Sequence, residues 1–127
     1  MKHLFFSIIA LFVLSSSAVA QGDITPKVSD ALKRGDAASL ASFFMPQIDL
    51  TLNGEDGTFS AAEAQRKLAT FFSQNAAQNF TVKHQGTSKL DDQYRIGDLN
   101  TAKGVFRVTF FMKKSGSTMQ IKQIKIE

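Results

Sequence analysis

Cysteine is absent from the 127 residues. Disulfides are therefore excluded, as are a thiol nucleophile and the cysteine that anchors a bacterial lipoprotein just after its signal. A packed core alone must hold the fold. Histidine is nearly absent too, with two in the chain, His3 and His84. His3 lies in the leader described below, so a site built on several histidine ligands is impossible in the rest. Apolar runs are short: the longest, Leu4–Leu14, is interrupted at Ser7 and falls well under the roughly 20 residues a membrane-spanning helix needs. Charge of one sign is also scarce. Fifteen Lys and Arg stand against eleven Asp and Glu, a net +4 spread along the chain rather than clustered, which argues against a nucleic-acid partner. No P-loop, dinucleotide glycine fingerprint or paired-histidine zinc motif occurs, and no cofactor is expected.

What is present begins with an address. Met1-Lys2-His3 leads into the apolar stretch, then three serines, then Ala18-Val19-Ala20. Basic start, apolar middle and small residues at the two positions read by a signal peptidase make a secretory signal, with Ala18 and Ala20 before the cut and Gln21 after it. The expectation is a signal over 1–20 and a single domain over 21–127, periplasmic or secreted, with no membrane span in the mature form.

Helical signals follow. Thr25-Pro26 reads as an N-cap with proline at the first helical position, Val28, Ala31 and Leu32 as a buried stripe, and Gly35 as the stop. Asp36 caps a second helix expected to run through Phe44 and to end at Pro46. Ile48, Leu50 and Leu52 then alternate with polar residues as a half-buried strand does, and Asn53–Gly57 is dense in turn formers. The acids of that stretch lack the spacing of a calcium loop and read as a hairpin turn. Ser60 with Glu63 forms a capping box ahead of the longest helix, whose stripe is Ala61, Ala64, Leu68, Phe71 and Phe72.

Beyond Asn75 the pattern is strands: from Phe80, from Tyr94, from Phe106 and from Met119. The parity slips between Ile121 and Ile124, which predicts a β-bulge. Asn79-Phe80-Thr81 matches the glycosylation acceptor pattern and is read as a chance match. Lys113, Lys114, Lys122 and Lys125 are read as a solvated strand face. Helices segregated from a run of strands give an α+β domain, a curved antiparallel sheet wrapped around the N-terminal helices and one long helix.

That order resembles the cystatin-like cone fold of the nuclear transport factor two (NTF2) and ketosteroid isomerase superfamily. More narrowly, Leu40-Ala41-Ser42-Phe43-Phe44, Ile48-Asp49-Leu50-Thr51, Phe80–Gly86, Gly104-Val105-Phe106-Arg107-Val108 and Ile124-Lys125-Ile126-Glu127 resemble domain of unknown function 4783, a family of short exported Bacteroidota proteins. The resemblance implies a cone open at one end and brings no activity.

Two functional readings follow. If Phe80 and Val82 point into the cone, alternation carries His84 inward, and Tyr94, Ile96 and Asp98 likewise. A histidine, a phenol and a carboxylate at one mouth would suit proton transfer in an isomerase- or hydrolase-like enzyme, as carboxylate and phenol do in isomerase-like members of the fold. The same three side chains equally serve to finish a core. The favoured reading is non-enzymatic: Phe43, Phe44, Phe71, Phe72, Phe80, Phe106 and Phe110 either line a pocket for a small apolar ligand or fill the cone. The strand Val105–Met112 is apolar on both faces, with Val105 and Phe111 opposite the core set. This suggests a homodimer through the sheet, an arrangement common in the fold that Phe111→Glu would split.

Overall fold

The computed structural model describes residues 23–127. The expected signal, with Ala18, Ala20 and Gln21, lies outside the described residues. The order is helix α1 (Thr25–Arg34), helix α2 (Ala37–Ala41), strands β1 (Phe44–Leu52) and β2 (Glu55–Ser60), helix α3 (Ala61–Gln74), then strands β3 (Ala77–Thr87), β4 (Gln93–Thr101), β5 (Gly104–Ser115) and β6 (Thr118–Ile126). The six strands form one sheet in the order β2-β1-β6-β5-β4-β3. Every pair is antiparallel except β1 with β6, which run parallel.

Local chemistry accounts for the helix ends. In α1 the Asp23 carboxylate accepts the Thr25 backbone N–H at 2.9 Å, so the cap sits slightly upstream of the expected Thr25. Gly35 closes α1 at φ 64, a left-handed conformation that glycine adopts without steric cost. Asp36 caps α2 by accepting the Ser39 N–H at 3.0 Å. At α3 the Ser60 hydroxyl accepts the Glu63 N–H at 3.2 Å, and the Glu63 carboxylate accepts the Ser60 N–H at 3.3 Å.

One expectation is corrected: α2 stops at Ala41 and Phe44 opens β1. The reason is a long-range pairing. The Ile121 N–H donates to the Phe43 carbonyl at 2.7 Å, drawing the chain into the sheet. Pro46 sits inside β1, where the register to β6 breaks between Phe44 and Asp49 and the β2 pairing has not yet begun. A residue without an N–H costs no ladder bond at that place.

The hairpin from β1 to β2 turns on Asn53 (φ 51) and Gly54 (φ 86), positive at both positions as a tight two-residue turn requires. Bulges bend the sheet. Lys122 is the extra residue between Ile121 and Gln123 opposite Met112 and Phe111, where the sequence parity slips. A second bulge leaves Lys83 unpaired between Val82 and His84. The core lies between helices and sheet, where Val28, Leu32, Leu40 and Leu68 meet Leu50, Leu99, Phe110, Ile121 and Ile124.

Candidate functional site

The inner face of β1 and β2 carries Leu50, Leu52 and Phe59, and α3 crosses above them. Where α3 and the hairpin diverge they leave a groove of about 420 Å³. Leu50, Leu52, Phe59 and Phe71 are its apolar lining residues. Asn53, Glu55 and Asp56 from the hairpin, with Lys67, Thr70 and Gln74 from α3, supply its polar groups. Sequence spacing puts Lys67, Thr70 and Gln74 on one side of α3, three and four residues apart. The hairpin turn brings Asn53, Glu55 and Asp56 to the facing end.

The groove is held in shape by a stack. The Phe59 ring rests on Gly57, where a Cβ would lie 2.5 Å from the ring's Cζ. The Lys67 ammonium stands over the same ring, 4.8 Å from its centroid, a cation–π contact from helix to strand. Asp56 turns its carboxylate to the other face of the hairpin, where it accepts the Thr51 hydroxyl at 2.7 Å.

The seven phenylalanines singled out in the sequence are brought together, largely as core. Phe44, Phe71, Phe72, Phe80 and Phe110 are buried, and Phe43 and Phe106 are half-buried against the same cluster. Phe71 meets Phe72 edge-on at 5.5 Å and Phe106 at 5.1 Å between ring centroids, the favoured aromatic geometry. Phe71 is the member of the set that also lines the groove. Phe43 lines a shallow depression between α1 and α2.

The inward placement of His84, Tyr94 and Asp98 is corrected. In β4 the buried residues are Arg95, Gly97, Leu99 and Thr101, so Tyr94, Ile96 and Asp98 occupy the outer face, away from the helices. The bulge at Lys83 shifts His84 to that face as well, opposite Ile96. Tyr94 lies across Gly86, with its ring tilted 47° against Phe111 at 5.9 Å. The three thus share a face, but it is the outer one.

Two buried charged groups went unread in the sequence. Arg95, 7% exposed, donates from Nε to the Thr25 hydroxyl at 3.0 Å and from Nη1 to the Tyr94 carbonyl at 3.0 Å, with the Asp23 carboxylate 3.9 Å away. The Thr25 backbone N–H and hydroxyl, with Arg95 behind them, hold the Asp23 carboxyl below its ordinary value. Asp92, 3% exposed, takes the Lys122 ammonium at 2.6 Å, so the bulge residue of β6 anchors the turn before β4. The parity of Gly97 and Leu99 is the signal that could have placed Arg95 inside. Among the described residues no group of three or more His, Cys, Asp or Glu is placed to hold a metal, and no helix is long and apolar enough to cross a membrane.

A family model described as domain of unknown function (DUF4783) matches residues 25–127. A DUF4783 family protein from Bacteroides fragilis is 32% identical, over 82% of this chain and 97% of that one, with a TM-score of 0.76. One from Bacteroides uniformis is 30% identical, over 83% and 96%, also with a TM-score of 0.76. An NTF2-like protein of unknown function from Cytophaga hutchinsonii is 8% identical, over 83% and 86%, with a TM-score of 0.58, a likeness of fold alone. Among curated proteins none matches the sequence.

Proposed function

The chain belongs to the DUF4783 family and has its NTF2-like cone fold, and we propose that it is an exported, non-enzymatic binding protein whose ligand lies in the groove between α3 and the β1–β2 hairpin. One observation carries the reading: an apolar lining and a polar edge occur together in a space of about 420 Å³, within the range of small-molecule sites. The cone interior beside it is occupied by its own phenylalanines. The ligand class is a small, mainly apolar molecule with a polar end. Its apolar body rests on Leu50, Leu52 and Phe71, and its polar end reaches Lys67, Gln74 or the Glu55 carboxylate.

The alternative, an isomerase- or hydrolase-like enzyme using His84, Tyr94 and Asp98, draws less support. Those residues stand on the outer face of the sheet instead of in a water-excluding pocket of the kind that general acid–base groups occupy.

A test uses the apolar fluorophore 1-anilinonaphthalene-8-sulfonate as probe. Thr70 is exposed on α3 and lines the groove, so Thr70→Trp fills the space without entering the core. Saturable enhancement of fluorescence by the native protein, lost in Thr70→Trp at unchanged melting temperature, is the expected result. Equal enhancement by both proteins, or none by either, would remove the groove from consideration.

A further inference from the structure

The groove between α3 and the hairpin carries charges of opposite sign on Lys67 and Glu55, and the two are held differently. Lys67 reaches over the Phe59 ring, and that ring lies on Gly57, so the ammonium has a fixed place on the groove wall. Among the described residues Lys67 takes part in no ion pair. The ring occupies one side of the ammonium, whose remaining N–H groups stay free to donate. Glu55 is exposed on the rim beside the tight turn, where no ion pair among the described residues holds its carboxylate.

The other polar groups are spent or neutral. The Thr70 hydroxyl donates to the Arg66 carbonyl at 3.2 Å, and Asn53 and Gln74 carry no charge. Among the described residues no arginine lines the groove. Phosphate groups are met by arginine forks or by open helix N-termini, and the N-terminus of α3 is closed by its own capping box. One placed ammonium beside an apolar floor matches a single negative charge on an apolar body.

On the reading of this groove as a binding site, on which the inference rests, we propose that its ligand is an apolar monocarboxylate. The carboxylate sits on Lys67 and the hydrocarbon on Leu50, Leu52 and Phe71. Lys67, Phe71 and Gln74 follow along α3 in steps of four and three residues, two turns that span about 10 Å. With carbon–carbon bonds of about 1.5 Å bent into a zigzag, a straight chain of about eight carbons covers that length. An ammonium already in place costs little ordering when a ligand engages it. A cationic ligand would instead meet Lys67 as like charge and depend on the unpaired rim carboxylate.

Displacement of the uncharged fluorophore N-phenyl-1-naphthylamine by octanoate, 1-octanol and octylamine tests the charge separately from the groove. The native protein is expected to take up the fluorophore and to bind octanoate about fivefold more tightly than octanol, with octylamine weakest. That advantage shrinks at high salt, which screens an exposed ammonium. Lys67→Gln brings octanoate to the level of octanol, and Lys67→Arg keeps the preference. Glu55→Gln sharpens it by removing like charge from the rim. From butanoate to dodecanoate, affinity rises by up to about fourfold per methylene and levels off near eight carbons. Octanoate no tighter than octanol, or a preference that survives Lys67→Gln, overturns the carboxylate and leaves the groove standing. Fluorophore uptake absent from the native protein, or equal in Thr70→Trp, removes the groove and the carboxylate with it.

Discussion

Gly97 fixes the phase of β4. The Phe80 ring stands where a side chain at 97 would go, with its Cζ 2.7 Å from an added Cβ, and the backbone of β3 closes the same space. Gly86 differs. An added Cβ there meets the hydroxyl end of Tyr94 at 2.6 Å, the far end of a flexible side chain on a solvent face. Gly97→Ala is therefore expected to destabilise by about 1–3 kcal/mol through overpacking. Gly86→Ala should cost less, because Tyr94 can swing away. Urea denaturation of both variants checks the order, and equal losses would contradict it. Arg95 illustrates the limit of local reading at this scale. Tyr94 and Ile96 look like the inward pair because they are the apolar ones. Arg95 is inside because its guanidinium is satisfied by Thr25, 70 residues away in sequence, a partner that no local pattern announces.

At the scale of elements, the helix starts depend on side chains that are neighbours in sequence. Asp36 is the clearest for measurement. The Ser39 backbone N–H, then the Ser39 hydroxyl and Arg34, lower its carboxyl from 3.8 to about 2. A carboxyl depressed in the folded state lends stability that is complete above its ordinary value and fades as pH falls toward the folded one. The native protein is thus expected to lose stability more steeply than Asp36→Ala between about pH 5 and pH 2. Asp23 adds to the native slope in the same direction, and it is common to both proteins. Parallel slopes in acid denaturation would show that the cap does not bind its partners as described. Such caps, and the box of Ser60 with Glu63, were legible because every partner lies within three residues. The bulge at Lys122 was legible because apolar residues flank it and their parity slips. The bulge at Lys83 was not: after Val82 the strand reads Lys83-His84-Gln85-Gly86, and polar residues carry no inward phase. The end of α2 was hidden for a related reason, since Ile121 decides it from the far end of the chain.

For the molecule as a whole, the family and the α+β cone were legible because they rest on element order and on apolar periodicity. The groove was not, because it depends on how far α3 and the hairpin diverge, a tertiary quantity. Its lining residues belong to two separate apolar stripes, and only Phe71 had been singled out. The phenylalanines meanwhile close on one another and leave the space to one side of the cone. This side space, with an apolar lining and a polar edge, is the proposed seat of a small molecule. Native mass spectrometry of the protein purified gently from an exporting host, beside Thr70→Trp prepared the same way, tests it most directly. The expected result is a native species heavier than the bare chain that sheds a small molecule on activation, and a bare variant. A bare native protein, or an adduct retained by Thr70→Trp, would contradict it.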